Sequence, residues 1–168
     1  MPKSIDDFYT KAQRYIALFD AFAKKRRLRD RAQADHICYK CSSTEIFEDL
    51  RRKFEFESRY LYQSIISGRR IAYIGLVRAI KTSLGDIRFL ELSDQKPDHS
   101  QQDCFDHIEA YPLGRSYLDM VREFEMYERV IKVERPHHTT HDIDIGEGFL
   151  FRCTEGPLLK KIKDREMN

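Results

Sequence analysis

The chain has 168 residues, of which 41% are hydrophobic and 35% are charged. That length favours one compact domain, and 11 Phe with 9 Tyr supply enough apolar bulk to exclude wholesale disorder. Lysine and arginine, 30 in all, nearly balance 28 aspartates and glutamates, so a strongly basic nucleic-acid coat is excluded. No apolar stretch approaches the roughly 20 residues that a transmembrane helix needs.

The first residues lack the basic and then apolar pattern of a signal peptide. Four scattered cysteines do not make a disulfide scaffold, so we expect a cytoplasmic protein with free thiols. One run, residues 24–31, is basic. The C-terminal end of a helix accounts for such a run, and a contact with phosphate or nucleic acid is the alternative.

The first third of the chain favours helix, because Gly and Pro are absent between residues 3 and 67. Apolar residues recur there at steps of three and four: Ile5, Phe8, Ala12, Tyr15, Ile16, Phe19, Phe22 and Ala23. This spacing predicts an amphipathic helix over residues 5–28, within an N-terminal segment of residues 1–31.

Residues 35–92 read as a unit with the order strand, helix, strand, strand, strand. Ser42 and Glu45 have the spacing of a capping box before the helix, and residues 67–69 give a hairpin signal. The predicted strands are residues 35–40, 60–66, 70–77 and 87–92. The apolar positions of the predicted helix are Ile46, Leu50 and Phe54.

The same order recurs over residues 106–160. The predicted strands are residues 106–111, 129–134, 141–145 and 149–153. The predicted helix has Ser116 as its cap and Leu118, Val121 and Phe124 as its apolar positions. Both units open with Asp-His-Ile, at residues 35–37 and 106–108, which indicates an internal duplication. We therefore predict a single α+β domain, in which two tandem βαβββ modules form a shared cleft behind an N-terminal helix.

His36 and His107 are each the second residue of a module's opening strand. Strand alternation places His36 on the same face as Cys38 and Lys40. If that face lines the cleft, both imidazoles enter it from symmetric positions and can bind a metal. Two buried histidines that bond to backbone groups are the alternative interpretation.

A divalent metal site needs carboxylates beside the imidazoles, with a position open for substrate. Glu91 ends the last strand of the first module, and Glu155 follows that of the second. Matching residues 89–91 to residues 149–151 leaves Glu155 four residues further on, so Glu91 is the cleaner candidate. Glu155 is either a ligand, a proton-transfer group or an exposed turn residue.

The segments ADHICYKC, GRRIAYIGL, FLELSDQKP and CFDHIEAYPLG resemble the YecM-like family. That family lies in the vicinal oxygen chelate superfamily, with glyoxalase I and the extradiol dioxygenases. The resemblance covers about residues 30–160 and implies paired βαβββ modules whose first and last strands carry metal ligands. It implies a divalent ion (Zn, Mn, Fe or Ni) on His36, Glu91 and His107, with Glu155 where a second carboxylate ligand would fall.

Three further histidines, His137, His138 and His141, lie within five residues. The surrounding proline and threonines are typical of a loop between strands, and a polar surface loop is one interpretation. His141, which enters the next strand, is the candidate to point inward and move protons.

Cys38 and Cys41 form a CxxC whose members face opposite sides of a strand. This arrangement does not predict a zinc site, because no second CxxC completes four thiolates. A redox role stays open, since Cys41 directly precedes a helix.

The resemblance implies a metal-dependent enzyme of the vicinal oxygen chelate type, which would chelate two adjacent oxygens of a small-molecule substrate and stabilise an enolate or oxyanion. Glu155 or His141 would transfer protons, and the reaction class stays open. A non-catalytic module that binds a small ligand or a metal is the alternative. A homodimer is compatible with the sequence, whereas a nucleic-acid partner and a membrane are not expected.

Overall fold

The computed structural model describes residues 1–58, 61–135 and 138–166. Within these residues it has four helices and eight strands, and all eight strands join one sheet in the order β2-β3-β4-β1-β5-β8-β7-β6. The elements are α1 (Ile5–Lys25), β1 (Ala32–Lys40), α2 (Thr44–Glu57), β2 (Leu61–Ile66), β3 (Arg69–Thr82), β4 (Gly85–Ser93), β5 (Cys104–Pro112), α3 (Tyr117–Glu125), β6 (Ile131–Arg135), β7 (His138–Asp144), β8 (Leu150–Cys153) and α4 (Leu158–Glu166).

The sheet is built from two equivalent halves that meet at its centre. There β1 pairs antiparallel with β5, while β1 pairs parallel with β4 and β5 pairs parallel with β8. One half has the order β1-α2-β2-β3-β4, and the other has the order β5-α3-β6-β7-β8. The predicted α+β fold of two βαβββ modules behind an N-terminal helix is confirmed.

Helix α1 packs against both halves of the sheet. The side chain of Ser4 caps its first turn by accepting a hydrogen bond from the amide of Asp7. Its buried face carries Phe8, whose ring lies 4.9 Å from that of Phe54, and Phe19, which stacks on Phe151 at 5.4 Å. The amphipathic helix predicted from apolar spacing is thus confirmed, and it ends at Lys25 rather than at residue 28.

The sequence predicted a cap for α2 and a hairpin between β2 and β3. Helix α2 begins after Ser43, whose hydroxyl accepts from the amide of Ile46 at 3.2 Å, so the prediction of Ser42 as the cap was one residue off. Ser42 instead donates its hydroxyl to Asp103. The hairpin between β2 and β3 is confirmed, and Ser67 and Gly68 both have positive φ there, as a type I′ turn requires.

Helix α4 is an element that the sequence patterns above did not predict. Leu158 and Ile162, one helical turn apart, pack on Ile71 and Tyr73 of β3. The helix therefore lies over one face of the sheet, the face that β3 has in common with β1 and β5, the first strands of the two modules. None of the described helices combines the length and the apolar character needed to cross a bilayer.

Candidate metal centre

The two Asp-His pairs of the repeat lie at irregularities in the central β1–β5 ladder. The pairing register skips Asp35 on one strand and Asp106 on the other. An extra residue of this kind interrupts strand alternation and re-aims side chains. Each aspartate accordingly accepts a hydrogen bond from Nδ1 of the histidine that follows it, at 2.7 Å for His36 and 2.8 Å for His107.

These bonds leave Nε2 as the unprotonated ring nitrogen in the neutral form of both histidines. A carboxylate cannot donate, so Nδ1 carries the proton of the neutral ring and Nε2 carries the lone pair. Both side chains are 1% exposed, and their ring centroids are 6.0 Å apart. Among the described residues, Nε2 of His36 is a buried nitrogen without a hydrogen-bond partner.

Two carboxylates approach these nitrogens. Glu91 Oε2 lies 3.4 Å from Nε2 of His36, and Glu109 Oε1 lies 3.9 Å from Nε2 of both histidines. One ligand atom from each of His36, Glu91, His107 and Glu109 lies within 4.8 Å of all the others. The structure therefore brings together three residues that the sequence predicted and adds Glu109.

The electrostatics of this group favour a positive charge at its centre. Burial alone lowers the pKa of His36, but Glu109, Asp35 and Glu91 outweigh burial and raise that pKa from 6.5 to about 10. The pKa values of Glu91 and Glu109 are lowered despite burial, chiefly by His36. Both carboxylates are thus ionised at neutral pH.

Arg152 occupies the place in the second module that Glu91 has in the first. Glu91 pairs with Cys38 across the β1–β4 ladder, and Arg152 pairs with Glu109 across the β5–β8 ladder. Cys38 and Glu109 are equivalent positions, each two residues after its module's histidine. The matching of residue 91 to residue 151, made from sequence, was therefore one residue off.

The guanidinium of Arg152 lies over the ring of His107. Its Nη1 atom is 3.1 Å from both ring nitrogens, and its Nε and Nη2 atoms each donate to Asp142 at 2.8 Å. Burial and the charge of Arg152 lower the pKa of His107, against the opposing effect of Asp106. His107 is consequently neutral near pH 7, which is the form that binds a metal.

Glu155 and His141, the other predicted site residues, do not join this group. Glu155 is exposed in the turn that follows β8. His141 pairs with Cys153, whereas its neighbour Asp142 pairs with Arg152. Because adjacent strand residues face opposite sides, His141 faces α3, where its Nδ1 atom is 2.6 Å from the hydroxyl of Tyr117.

The structure describes some of the remaining predicted residues, a group of histidines and the CxxC cysteines. His137 lies outside the described residues, as does the side chain of His138. Cys38 donates its thiol to Oε1 of Glu91 at 3.4 Å, while Cys41 belongs to the hydrophobic core. The two cysteines therefore face opposite sides, as predicted, and burial raises the pKa of both thiols.

The sequence contained signals for some of the residues that were not predicted. Glu109 lies two positions after His107 and thus on the same strand face. The aspartate in both Asp-His-Ile segments indicated a repeated role for the residue before the histidine. Arg152 carried no such signal, because its position opposite Glu109 depends on the register between β5 and β8.

The family model described as YecM protein matches residues 4–142. Among solved structures, one described as Protein EC4020 aligns with a TM-score of 0.74 and 18% identity, over 96% of this chain and 93% of its own. A methylmalonyl-CoA epimerase from Mycobacterium tuberculosis aligns with a TM-score of 0.46 and 14% identity, over 77% of this chain and 91% of its own. No curated protein matches the chain.

Proposed function

We propose that this protein, which belongs to the YecM family, binds a divalent metal ion at the paired histidines of its cleft. His36, Glu91 and His107 are the proposed ligands, and Glu109 is the fourth candidate. The supporting observation is the buried Nε2 atom of His36, which lacks a hydrogen-bond partner among the described residues and lies beside two carboxylates.

The residues present fit a divalent ion by their donor chemistry. Two imidazoles fixed through Nδ1, together with one or two ionised carboxylates, suit Zn, Mn, Fe or Ni. The hydrogen bonds from His36 to Asp35 and from His107 to Asp106 are the outer-shell contacts that orient metal-binding histidines. The carboxylates that raise the pKa of His36 stabilise positive charge at this point, and a bound ion would take the place of the proton on Nε2.

The proposed activity is that of an enzyme acting on a small molecule with two neighbouring oxygens. A bound ion supplies Lewis-acid stabilisation of negative charge on such oxygens. Glu109 is the candidate to accept or return a proton, because it is ionised and its Oε1 atom faces both histidines. In this proposal Glu109 takes the role that the sequence had suggested for Glu155.

Metal analysis of protein purified without chelator or affinity metal tests the proposal. We expect close to one ion per chain in the wild type, and loss of that ion in the variant His36→Ala/His107→Ala. His99→Asn is the matched control, because His99 is exposed in a loop and has positive φ, which asparagine tolerates. A wild type that takes up none of the four ions would contradict the proposal.

A non-catalytic binding module is the second candidate. It is favoured by Arg152, whose permanent charge lies against His107 and disfavours a dication there. This candidate predicts that a small anionic ligand binds equally well with and without added metal.

A further inference from the structure

The cavity over the candidate metal centre is lined by more cations than carboxylates. Its volume is about 350 Å³, which suits a small molecule. Its charged lining residues, besides His36, are Glu91, Glu109, Lys40, Arg69, Lys96, Arg152 and Lys161. Because both carboxylates belong to the candidate metal centre, the rest of the charged lining is positive.

Two of the five cations, Arg69 and Lys96, form no ion pair within the part of the chain that the structure describes. Lys40 and Arg152 pair with Asp106 and Asp142, and Lys161 lies 3.7 Å from Glu109. Arg69 and Lys96 are therefore the cations of the cavity wall that no carboxylate of the described residues neutralises.

Arg69 is held in place by a buried polar network. Its Nε atom donates to the hydroxyl of Ser93 at 2.8 Å, and Ser93 is fully buried. Beneath it, Gln101 donates to the carbonyls of Cys41 and Asp94, both at 2.8 Å. Bonding through Nε leaves the two terminal nitrogens of the guanidinium as a preorganised fork for an oxyanion.

Two loops bring Lys96 to the same end of the cavity. The β2–β3 turn and the loop after β4 pack together, so closely that a side chain at Gly68 would lie 3.2 Å from the ring of Pro97. Ser67 precedes that glycine in the turn and also lines the cavity. The packing therefore places Ser67, Arg69 and Lys96 together at the cavity wall.

We infer that the substrate carries an oxyanion, a carboxylate or a phosphate, in addition to its two chelating oxygens, and that Arg69 and Lys96 bind it. This inference rests on the proposed function for the two chelating oxygens of the substrate. Binding of the additional oxyanion depends only on the cations of the cavity. Anion binding by Arg69 and Lys96 can therefore be measured with and without metal.

Calorimetric titrations of manganese-loaded protein test the inference with three probes. Glycerate offers the chelating oxygens alone, malate adds a carboxylate, and 3-phosphoglycerate adds a phosphate. We expect at least one of the two larger anions to bind the wild type about tenfold or more tightly than glycerate. A preference for malate identifies a carboxylate substrate, and a preference for 3-phosphoglycerate identifies a phosphate substrate.

The variant Arg69→Gln/Lys96→Gln should lose this preference and retain its metal content. Arg88→Gln is the control, because Arg88 is an exposed arginine of β4 that does not line the cavity, and it should behave as the wild type. Equal binding of the three probes by the wild type overturns the inference. An unchanged preference in Arg69→Gln/Lys96→Gln overturns it as well.

A titration with inorganic phosphate in the presence of EDTA separates this inference from the proposed function. We expect the wild type to bind phosphate and Arg69→Gln/Lys96→Gln to bind it at least about tenfold more weakly. That result without any metal uptake would sustain the anion site and refute the metal centre. Metal uptake without an anion preference would refute the anion site alone.

Discussion

Glu109 and Glu155 make a matched pair of glutamates for testing which carboxylate completes the centre. Glu109 is buried beside both histidines, whereas Glu155 is exposed after β8. We expect Glu109→Gln to lower metal affinity about tenfold or more, because it replaces an ionised oxygen near the ion by a neutral amide. Titration with zinc or manganese measures the change, and Glu155→Gln should stay within about twofold of the wild type.

Glu91→Gln should weaken metal binding at least as strongly, since its carboxylate lies closest to Nε2 of His36. A greater loss in Glu155→Gln than in either other variant would contradict this assignment of ligands.

In the proposed centre Asp106 is a positioning residue, because it would act on the ion through His107. Its carboxylate fixes the ring by accepting from Nδ1 at 2.8 Å. We expect Asp106→Ala to lower metal affinity by about 10- to 100-fold, the usual effect of removing such a contact. Asp106→Asn should recover part of the loss, because its amide oxygen still accepts a hydrogen bond.

The exposed residue Asp98 provides the control for this experiment. Asp98→Ala should bind metal as the wild type does. If Asp106→Ala also bound metal normally, the hydrogen bond would have only a structural role.

At the scale of secondary-structure elements, local periodicity predicted most of the fold. Apolar residues three and four apart identified α1, and the repeated Asp-His-Ile segments identified the two modules. The failures arose where long-range pairing decides the outcome. Arg152 lies opposite Glu109 because of the β5–β8 register, and no local pattern reports that register. Ser43 rather than Ser42 caps α2, because the hydroxyl of Ser42 donates a hydrogen bond to Asp103, which is distant in sequence.

Helix α4 lines the cavity above the candidate centre and is joined to the centre by a hydrogen bond. The backbone amide of Leu158 donates at 3.1 Å to Oδ2 of Asp35, which also accepts from His36. Apolar contact of Ile162 with β3 holds the helix in this place. The position of α4 and the orientation of a proposed metal ligand are therefore coupled.

Ile162→Ala tests this coupling, because it removes apolar contact from a site where truncation typically costs about 2–5 kcal/mol. We expect amide exchange at Leu158 to accelerate at least about tenfold and bound metal to dissociate faster. Lys163→Ala changes the next residue, which is exposed, and should leave both rates unaltered. Unchanged rates in Ile162→Ala would show that the position of α4 does not affect the centre.

At the scale of the whole molecule, the duplication yields a symmetric frame with an asymmetric charge distribution. Both modules supply an Asp-His pair, but the equivalent positions on their last strands carry Glu91 and Arg152. Positive charge beside His107 and negative charge beside His36 shift the favoured position of a cation towards the first module. The second module contributes Glu109 instead, from the residue equivalent to Cys38.

This charge distribution makes stability and metal binding depend on pH with opposite signs. The folded-state pKa of His36 is about 10, above its ordinary value of 6.5. A raised pKa stabilises the fold fully below about pH 6.5, and this stabilisation is lost as the pH rises towards 10. Metal binding requires Nε2 of His36 to be unprotonated, so affinity rises across the same window. Glu91 and Glu109 have lowered pKa values and stay ionised there.

Thermal unfolding at pH 6.5 and 8.5, with EDTA or with saturating manganese, measures both effects. We expect the unfolding midpoint in EDTA to fall as the pH rises. The reason is that deprotonation of His36 lowers the free energy of unfolding by up to about 1.4 kcal/mol per pH unit. The increase in midpoint on adding manganese should grow over the same interval. His36→Gln removes the titrating group and should flatten both trends, which separates His36 from other groups that titrate in this range. A manganese-induced increase that is the same at both pH values would show that no proton leaves His36 when the ion binds.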